Sequence, residues 1–341
     1  MSEEASRPLV FVTRPIAEQA LAELAGFARV DLWEDEMPPP RDVILGRIAG
    51  ADAILSLLTD GIDAAVIAAA PRLRVISNLA VGVDNIDLDA ATASGVAVGH
   101  TPGVLTETTA DLAFALLMAA ARRIVEADSY TRQGRWRTWG PRVMLGRDVF
   151  GAALGIIGWG AIGRAMARRA AGFAMRVLYA ARADKPHQAG IGATGQEIAG
   201  ASAVALSELL GESDFVSLHV PLTPETRGMF GAREFRAMKP GAILINTARG
   251  EVIDQRALYE ALAAGHLGGA ALDVTSPEPI APDDPLLKLP NVIVTPHIGS
   301  ASQATRLRMA QIAVGNIRDA LAGRLPAYCA NPAVRLKTKI A

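Results

Sequence analysis

Three polar residues of different chemical type follow apolar runs in the second half of the chain. Arg249 comes after the run AILINTA, Glu278 after AALDVTSP, and His297 after VIVTP. An arginine binds a carboxylate through two parallel hydrogen bonds, and histidine is the most frequent general acid among side chains. A carboxylate bonded to the imidazole would favour its protonated form and fix its ring. Together the three types suit binding of an anion and protonation of an oxygen that gains negative charge.

The apolar runs before these residues predict strands of a parallel sheet. Ligands of such sheets bind beyond the carboxyl ends of the strands, so we expect all three side chains to face one crevice. Each residue also has an ordinary structural interpretation. Arg249 would then be a solvated loop charge, and Glu278, which stands between two prolines, a turn residue.

A glycine motif precedes the three residues in the chain. Gly158, Gly160 and Gly163 form the pattern GxGxxG after the apolar run 153–157, and a helical pattern and a second apolar run, 175–181, follow. Strand, tight turn, helix and strand at this spacing are typical of a dinucleotide-binding unit. Its first glycine permits the turn, its second admits a pyrophosphate, and its third lets the helix approach the strand. The amide groups at the helix start then face the phosphates.

The end of the second strand bears on the choice of cofactor. Proteins that prefer NAD carry an acid about 20 residues beyond the glycines, where it binds the ribose 2′-hydroxyl. Here the strand ends in Tyr179, Ala180, Ala181 and Arg182, with no carboxylate. An arginine is suited to bind a 2′-phosphate, so the sequence favours NADPH over NADH, with NAD(H) still possible. The alternative is that Arg182 is a solvated loop residue.

Composition excludes several classes of protein. The length of 341 residues, half of them hydrophobic, indicates about two domains, and a net charge of −1 argues against a nucleic-acid partner. The single cysteine, Cys329, suits a reducing compartment. The N-terminus lacks the order of a signal peptide, and the apolar helix candidate at 110–121 is too short to span a membrane. We expect a cytoplasmic protein without a metal site.

Short apolar runs alternate with amphipathic segments along the whole chain, which predicts an α/β fold with parallel sheets. Residues 8–99 show this alternation without a GxGxxG motif, and TPG at 101–103 is a plausible hinge. A long helix is predicted from Thr106 through Arg123. Asp254 and Gly265 are predicted to mark the beginning and end of a later helix.

Residues 131–150 lack clean periodicity and contain Trp136 and Trp139. Two interpretations remain open for this segment. It is either a projecting arm that packs on a partner or a surface loop whose tryptophans cover their own domain.

An ordered set of motifs resembles the D-isomer-specific 2-hydroxyacid dehydrogenase family over nearly the whole chain. The motifs are VGVDNID (81–87), GIIGWGAIG (155–163), HVPLTPET (219–226), INTARGEVID (245–254), ALDVTSPEP (271–279) and TPHIGS (295–300). Three segments look most like the glyoxylate/hydroxypyruvate reductase branch of this family. They are the motif DVTSPEP, the segment VLTETTADLAFALL (104–117) and the tryptophan-containing segment.

The resemblance implies two doubly wound parallel-sheet domains. A Rossmann cofactor domain, residues 104–297, would be inserted into a flavodoxin-like substrate domain formed by residues 1–103 and 298–341. It also implies a homodimer built through the cofactor domain, with a dimerisation arm near 128–150.

The resemblance assigns substrate binding to Arg249, proton donation to His297 and support of that donor to Glu278. Further substrate contacts are implied for Leu55, for the backbone of Val81 and Gly82, and for Trp139 from a neighbouring subunit. The residues expected to contact the cofactor are Thr109, Gly158, Trp159, Gly160, Ala161, Ile162, Gly163, Ala181, Arg182, Val220, Pro221, Thr247, Ala248, Arg249, Asp273, His297 and Gly299. Many family members carry an acid at the position of Ala181, and its absence here again favours NADPH.

The expected activity is NADPH-dependent reduction of glyoxylate and hydroxypyruvate to glycolate and D-glycerate. One alternative is a 2-ketogluconate reductase or another D-2-hydroxyacid dehydrogenase. An alternative of another class is a non-catalytic NADP(H)-binding regulator.

Overall fold

The computed structural model describes residues 6–181 and 200–337. The chain forms two compact units. The discontinuous unit comprises Met1–Leu105 and Ser300–Ala341, and the inserted unit comprises Thr106–Gly299. Each boundary lies two residues beyond the position predicted from the sequence.

The elements are numbered in chain order. The strands are β1 (Leu9–Val12), β2 (Arg29–Leu32), β3 (Ala53–Ser56), β4 (Val75–Asn78), β5 (Ala97–Gly99), β6 (Ala153–Ile157), β7 (Arg176–Ala180), β8 (Ala201–Ala203), β9 (Phe215–Leu218), β10 (Ile243–Asn246), β11 (Gly269–Leu272) and β12 (Val292–Val294). The helices are α1 (Glu18–Ala25), α2 (Arg41–Ile48), α3 (Ala64–Ala68), α4 (Leu88–Ala93), α5 (Thr106–Ala121), α6 (Ile124–Arg132), α7 (Ala161–Ala171), α8 (Leu206–Glu212), α9 (Ala232–Ala237), α10 (Gln255–Ala263) and α11 (Gln303–Leu321).

The discontinuous unit has a parallel sheet in the order β2-β1-β3-β4-β5, which is the flavodoxin-like order. Phe11, Ile54 and Ile76 are register partners on neighbouring strands, and they pack with α2, α3 and α4. Helices α1 and α11 pack together, and α11 contacts β3 and β4. Because both faces are covered, the central strands β3 and β4 are buried at every residue rather than at alternate residues.

The inserted unit has a parallel sheet in the order β12-β11-β10-β9-β6-β7-β8. One core lies under α5 and α7 and includes Ile156, Tyr179 and Ile245. The other lies under α8, α9 and α10 and includes Val216 and Leu244. The predicted fold class, with two parallel-sheet α/β domains, is confirmed.

Both sheets reverse their strand order at the first strand of the unit. In the inserted unit β6 lies between β7 and β9, and in the discontinuous unit β1 lies between β2 and β3. The crevice at such a reversal is where open α/β sheets bind ligands. The loop after β6 is the glycine motif, so the topology places that motif at the expected binding position.

Helix boundaries follow capping residues in several places. The Asp254 carboxylate accepts a hydrogen bond from the Ala257 amide at the start of α10, and Gly265 follows its end with a φ of 70°. Both agree with the sequence. Helix α4 was not predicted from the sequence, although the Asp87 side chain caps it through the Ala90 amide.

The segment after α5 differs from the prediction. A single helix was expected through Arg123, but α5 ends at Ala121 and α6 begins at Ile124. Arg123 adopts a φ of 53°, and its guanidinium binds Glu126 in the new helix. Helix α6 buries none of its residues.

The two tryptophans beyond α6 are on the surface. Trp136 is 63% exposed and Trp139 is 79% exposed. The interpretation in which they cover their own domain is therefore wrong, and the segment remains a candidate arm.

In the described part of the chain, no helix has both the length and the apolar character needed to cross a membrane. The same residues contain no cluster of three or more His, Cys, Asp or Glu side chains able to hold a metal ion.

Candidate active site and dinucleotide site

The glycine motif forms a tight turn between β6 and α7. Gly158 has a φ of 100°, and a Cβ at this position would fall 2.5 Å from the carbonyl oxygen of His219. A Cβ on Gly163 would collide with the carbonyl of Gly158. A Cβ on Gly160 would have no neighbour within 4 Å among the described residues. Two glycines thus bring the backbone together, and the third leaves space that a phosphate group can approach.

Gly160 is the N-cap residue of α7, and Ala161 is its exposed first residue. The first amide groups of an 11-residue helix and its positive dipole end therefore border this space. Ile162 in the first turn is half-buried. This geometry fits the pyrophosphate of a dinucleotide.

Trp159, a predicted cofactor residue, has a buried side chain. Its indole stacks on Tyr179 at 3.8 Å between ring centroids and belongs to the core of the inserted unit. What Trp159 can offer a cofactor is its backbone.

The end of β7 carries the residues that bear on cofactor choice. Ala181 follows the strand directly and is exposed. Arg182 lies outside the described residues, so its contact with a 2′-phosphate remains a prediction.

Other predicted cofactor residues lie at neighbouring strand ends. The Thr247 hydroxyl, after β10, is buried and has no hydrogen-bond partner among the described residues. Its neighbour Ala248 is buried, Val220 after β9 is half-buried, and Pro221 is exposed. A buried polar group without a partner is costly, so the Thr247 hydroxyl is a candidate to meet a polar group of the cofactor.

His219 also follows β9, with its Nε2 atom 2.9 Å from the Ser217 hydroxyl. Burial lowers the pKa of His219 to about 4. This imidazole is therefore neutral near pH 7 and adds no positive charge beside the glycine turn.

Glu278 and His297 meet directly. The Glu278 Oε1 atom lies 2.5 Å from Nδ1 of His297. Since a carboxylate accepts, Nδ1 donates, and this bond fixes the tautomer and orientation of the ring. Nε2 has no hydrogen-bond partner in the described part of the chain. The pair therefore presents one imidazole nitrogen for exchange of a proton.

Asp273 holds the loop that carries His297. Its Oδ1 atom accepts hydrogen bonds from the Thr295 hydroxyl at 2.6 Å and from the Ile298 amide at 2.8 Å. Its Oδ2 atom accepts from the Gly299 amide at 2.7 Å. In the structure this buried carboxylate holds the residues on both sides of His297, and the predicted cofactor contact of Asp273 stays a prediction. The predicted cofactor residue Thr109 packs against Gly299.

Arg249 is positioned by the last residue of β10. The Asn246 side chain donates to the Arg249 carbonyl at 2.9 Å and accepts from the Ala248 amide at 3.0 Å. A Cβ on Gly250 would collide with the Thr275 carbonyl, so the loop after Arg249 lies against the loop that leads to Glu278. The structure thus brings the Arg249, Glu278 and His297 loops to one edge of one sheet.

The predicted substrate residues of the discontinuous unit lie at the ends of β3 and β4. Leu55 is fully buried within β3. Val81 and Gly82 are half-buried in the loop after β4. The Gly82 carbonyl accepts a hydrogen bond from Asn78, the last residue of β4, at 2.9 Å.

Asn78 and Asn246 are site residues that the sequence analysis missed. Both are fully buried, and both are the final residue of an apolar strand. A polar residue that ends an apolar run, as in VISN and ILIN, was the available signal.

A glycine fingerprint beside an imidazole–carboxylate pair, on a parallel sheet, is typical of nicotinamide-dependent oxidoreductases. Residues 114–299 match the family model of the D-isomer specific 2-hydroxyacid dehydrogenase, NAD binding domain. The chain belongs to the D-isomer-specific 2-hydroxyacid dehydrogenase family.

Relatives match this chain over nearly its full length. A glyoxylate reductase of Korarchaeum cryptofilum is 53% identical over 332 residues, which cover 96% of this chain and 97% of the relative. A solved structure from Thermus thermophilus is 48% identical with a TM-score of 0.87, over 94% of this chain and 99% of that one. An NADPH-dependent glyoxylate/hydroxypyruvate reductase of Sinorhizobium meliloti, in complex with NADP and malonate, is 29% identical with a TM-score of 0.83, over 98% and 100%.

Proposed function

We propose that the protein is an NADPH-dependent reductase of glyoxylate and hydroxypyruvate, with glycolate and D-glycerate as products. The observation that carries this proposal is the Glu278–His297 pair, held at the carboxyl edge of the sheet that also carries the glycine turn. An oriented imidazole with one unpartnered nitrogen is suited to act as a general acid.

Each polar group has a role in the reaction. A reduced nicotinamide, if held at the glycine turn by the first amide groups of α7, would supply the hydride for reduction of the keto carbon. His297 donates the Nε2 proton to the oxygen that gains negative charge, while Glu278 keeps the ring oriented and stabilises the imidazolium. Arg249 and the backbone amides of Val81 and Gly82 bind the substrate carboxylate. Asp273 and Asn246 act through the loops that they hold.

Two observations support NADPH as the preferred cofactor. Position 181 holds an alanine rather than an acidic residue, so no carboxylate at this position repels a 2′-phosphate. The relative from Sinorhizobium meliloti is described as NADPH-dependent and was solved with NADP. Arg182 is the residue proposed to bind the 2′-phosphate, with Gly158, Gly160 and the start of α7 on the pyrophosphate.

The proposed substrate class rests on the relatives and on the residues Arg249, Glu278 and His297. The Korarchaeum relative is named a glyoxylate reductase, and the Sinorhizobium relative a glyoxylate/hydroxypyruvate reductase. Both substrates carry a carboxylate next to a carbonyl group. Arg249 would bind the carboxylate, and His297, supported by Glu278, would protonate the carbonyl oxygen. A 2-ketogluconate reductase would need the same groups and more room beyond the keto carbon.

We further propose a cytoplasmic homodimer in which the inserted unit is the cofactor and dimerisation domain. The surface around α6 supports this assembly. A groove of about 880 Å³ lies between α6 and residues 287–293, lined by Val125, Leu145 and Leu287 among others. These three side chains are 54%, 63% and 43% exposed. A second copy would cover this groove and the proposed arm near residues 128–150.

Initial rates test the proposed function. We expect turnover of glyoxylate and hydroxypyruvate with NADPH, slower turnover with NADH, and slower turnover of 2-ketogluconate. The rates are measured by loss of nicotinamide absorbance over a range of each keto acid and each cofactor. The variant Arg182→Ala should raise the KM for NADPH much more than that for NADH.

Other outcomes point to the alternatives. Faster turnover of 2-ketogluconate than of the two smaller acids would reassign the substrate. Binding of NADPH without reduction of any of the three acids would favour the non-catalytic regulator. Equal effects of Arg182→Ala on both cofactors would make that residue a solvated loop charge.

A further inference from the structure

His100 lies at the end of β5 in the discontinuous unit, outside the predicted catalytic set. Its Nδ1 atom is 2.8 Å from the Val81 carbonyl oxygen. Because a carbonyl oxygen only accepts, Nδ1 carries the proton and donates. The His100 backbone is fixed as well, since its amide donates to the Tyr328 carbonyl and its carbonyl accepts from the Asn316 side chain.

Three consecutive carbonyl groups of the loop after β4 are held in the same way. The Ala80 carbonyl accepts from the Thr101 amide at 2.8 Å, the Val81 carbonyl from His100, and the Gly82 carbonyl from Asn78. In a planar trans peptide, the carbonyl of one residue and the N–H of the next point in opposite directions. Holding the carbonyls of Ala80 and Val81 therefore also sets the directions of the Val81 and Gly82 N–H groups.

Neither of these two amides donates a hydrogen bond to another described residue. Successive N–H groups without partners form a concave site that favours an anion. The loop thus has its carbonyls occupied on one side and its donors available on the other.

We infer that His100 is a positioning residue of the substrate carboxylate site, because its Nδ1–H holds the Val81 carbonyl and so aims the Gly82 amide at the carboxylate. This inference rests on the proposed function, and it adds a residue that touches neither substrate nor cofactor. Asn78 supports the same loop through the next peptide unit, where its side chain binds the Gly82 carbonyl and Asn85.

Two variants of nearly equal size test the role of the N–H donor. Asn at position 100 retains an N–H group one bond beyond Cγ, as in Nδ1, whereas Asp retains the size and only accepts. Because Asp also adds a negative charge, the uncharged His100→Leu is measured beside it and should show a rise in KM as well. We expect His100→Asn to keep the glyoxylate KM near that of the wild type. We expect His100→Asp to raise it by about 10- to 100-fold, the range for losing a hydrogen bond to a charged group. The kcat and the KM for NADPH should change much less.

Ser77→Ala is the matched control. Ser77 precedes Asn78 on β4, is fully buried, and its hydroxyl donates to the Ala313 carbonyl at 2.9 Å rather than to a group of the loop. This variant loses a buried hydrogen bond of the same unit and should keep the glyoxylate KM. Thermal unfolding of all variants shows whether each is folded at the assay temperature.

Several outcomes would overturn the inference. Equal glyoxylate KM values for His100→Asn, His100→Asp and the wild type would show that the N–H has no role. An equal rise in both variants would assign the effect to the imidazole ring. A fall in kcat at unchanged KM would place His100 outside carboxylate binding. If His100→Asp fails to fold, His100→Leu against His100→Asn provides the same comparison.

Binding of oxalate separates this inference from the proposed function. Oxalate carries a carboxylate like that of glyoxylate and cannot be reduced by hydride transfer. Calorimetric titration of the NADP⁺-saturated protein should show weaker oxalate binding for His100→Asp and unchanged binding for His100→Asn. A wild-type protein that reduces none of the keto acids would contradict the proposed function, while the oxalate titration would still decide the role of His100.

Discussion

The loops after β4 and after β10 are both held by an asparagine at the end of the preceding strand, but they present different chemical groups. In each unit a fully buried asparagine closes the strand and donates from its side chain to a carbonyl in the following loop. Asn246 holds the loop that presents the charged side chain of Arg249. Asn78 holds a loop in which the backbone amides of Val81 and Gly82 are the groups proposed to bind the substrate.

The difference shows how each site can be altered by substitution. A side chain such as Arg249 can be removed directly. A backbone amide is present in every residue except proline, so its function changes only when its direction changes. Under the proposed function, we therefore expect substitutions in the discontinuous unit to act through the residues that position the amides, whereas in the inserted unit a reacting side chain can also be removed directly.

The largest effect should come from removing the proton donor of the inserted unit. His297→Ala should lower kcat by roughly 10²- to 10⁴-fold, the usual contribution of general acid catalysis. His266→Ala is the matched control, because His266 lies in the same unit with Nε2 bonded to the carbonyls of Phe235 and Met238. Steady-state kinetics with glyoxylate measures both, and an unchanged kcat in His297→Ala would refute its assignment as the acid.

An intermediate effect is expected at the asparagine of the inserted unit. Asn246→Asp keeps an acceptor for the Ala248 amide and loses the donor to the Arg249 carbonyl. We expect kcat/KM for glyoxylate to fall by about 10-fold, as for a lost buried hydrogen bond.

The effect of Asn246→Asp should shrink in an Arg249→Lys background, since the two residues act as one group. A full effect in that background would mean that Asn246 does not act through Arg249. The control is Asn291→Asp, whose side-chain bond to Gly268 is long, at 3.4 Å, and exposed.

An effect of another kind, on stability rather than on turnover, is expected at a titratable residue of the inserted unit. Burial lowers the pKa of His219 from its usual 6.5 to about 4, so between these values the unfolded chain binds a proton that the folded protein does not. Stability should therefore fall as the pH drops from about 6.5 to 4, by up to roughly 3 kcal/mol.

Above pH 6.5 this residue should contribute no pH dependence. In His219→Gln the acid-side decrease should be smaller than in the wild type, as measured by urea unfolding at a series of pH values. Parallel curves for the two proteins would contradict the assignment.

Much of the architecture follows from the sequence. The alternation of apolar runs and amphipathic segments was enough to predict the fold class. The spacing of Gly158, Gly160 and Gly163 was enough to predict the position of the tight turn between β6 and α7. Arg249, Glu278 and His297 could be proposed as site residues because polar residues that follow apolar runs are easily recognised in a sequence.

The hydrogen bonds by which His100 and Asp273 position their neighbours could not be found in this way. The bond from His100 to Val81 joins the ends of two strands that become neighbours only in the folded sheet. Asp273 lies at a predicted strand end, but its bonds to the Ile298 and Gly299 amides depend on how that loop returns. The left-handed turn at Arg123 lies within an uninterrupted helical pattern, so the break before α6 had no sequence signal.

The last helix of the chain has a consequence for the order in which the protein is made. Helix α11 packs on β4, and its Asn316 side chain binds the carbonyl of His100. During synthesis the first 105 residues leave the ribosome long before α11, while residues 106–299 can complete their own sheet and both cores. The inserted unit is therefore expected to fold first. The amide site at Val81 and Gly82 would reach its final geometry only when the C-terminal segment arrives.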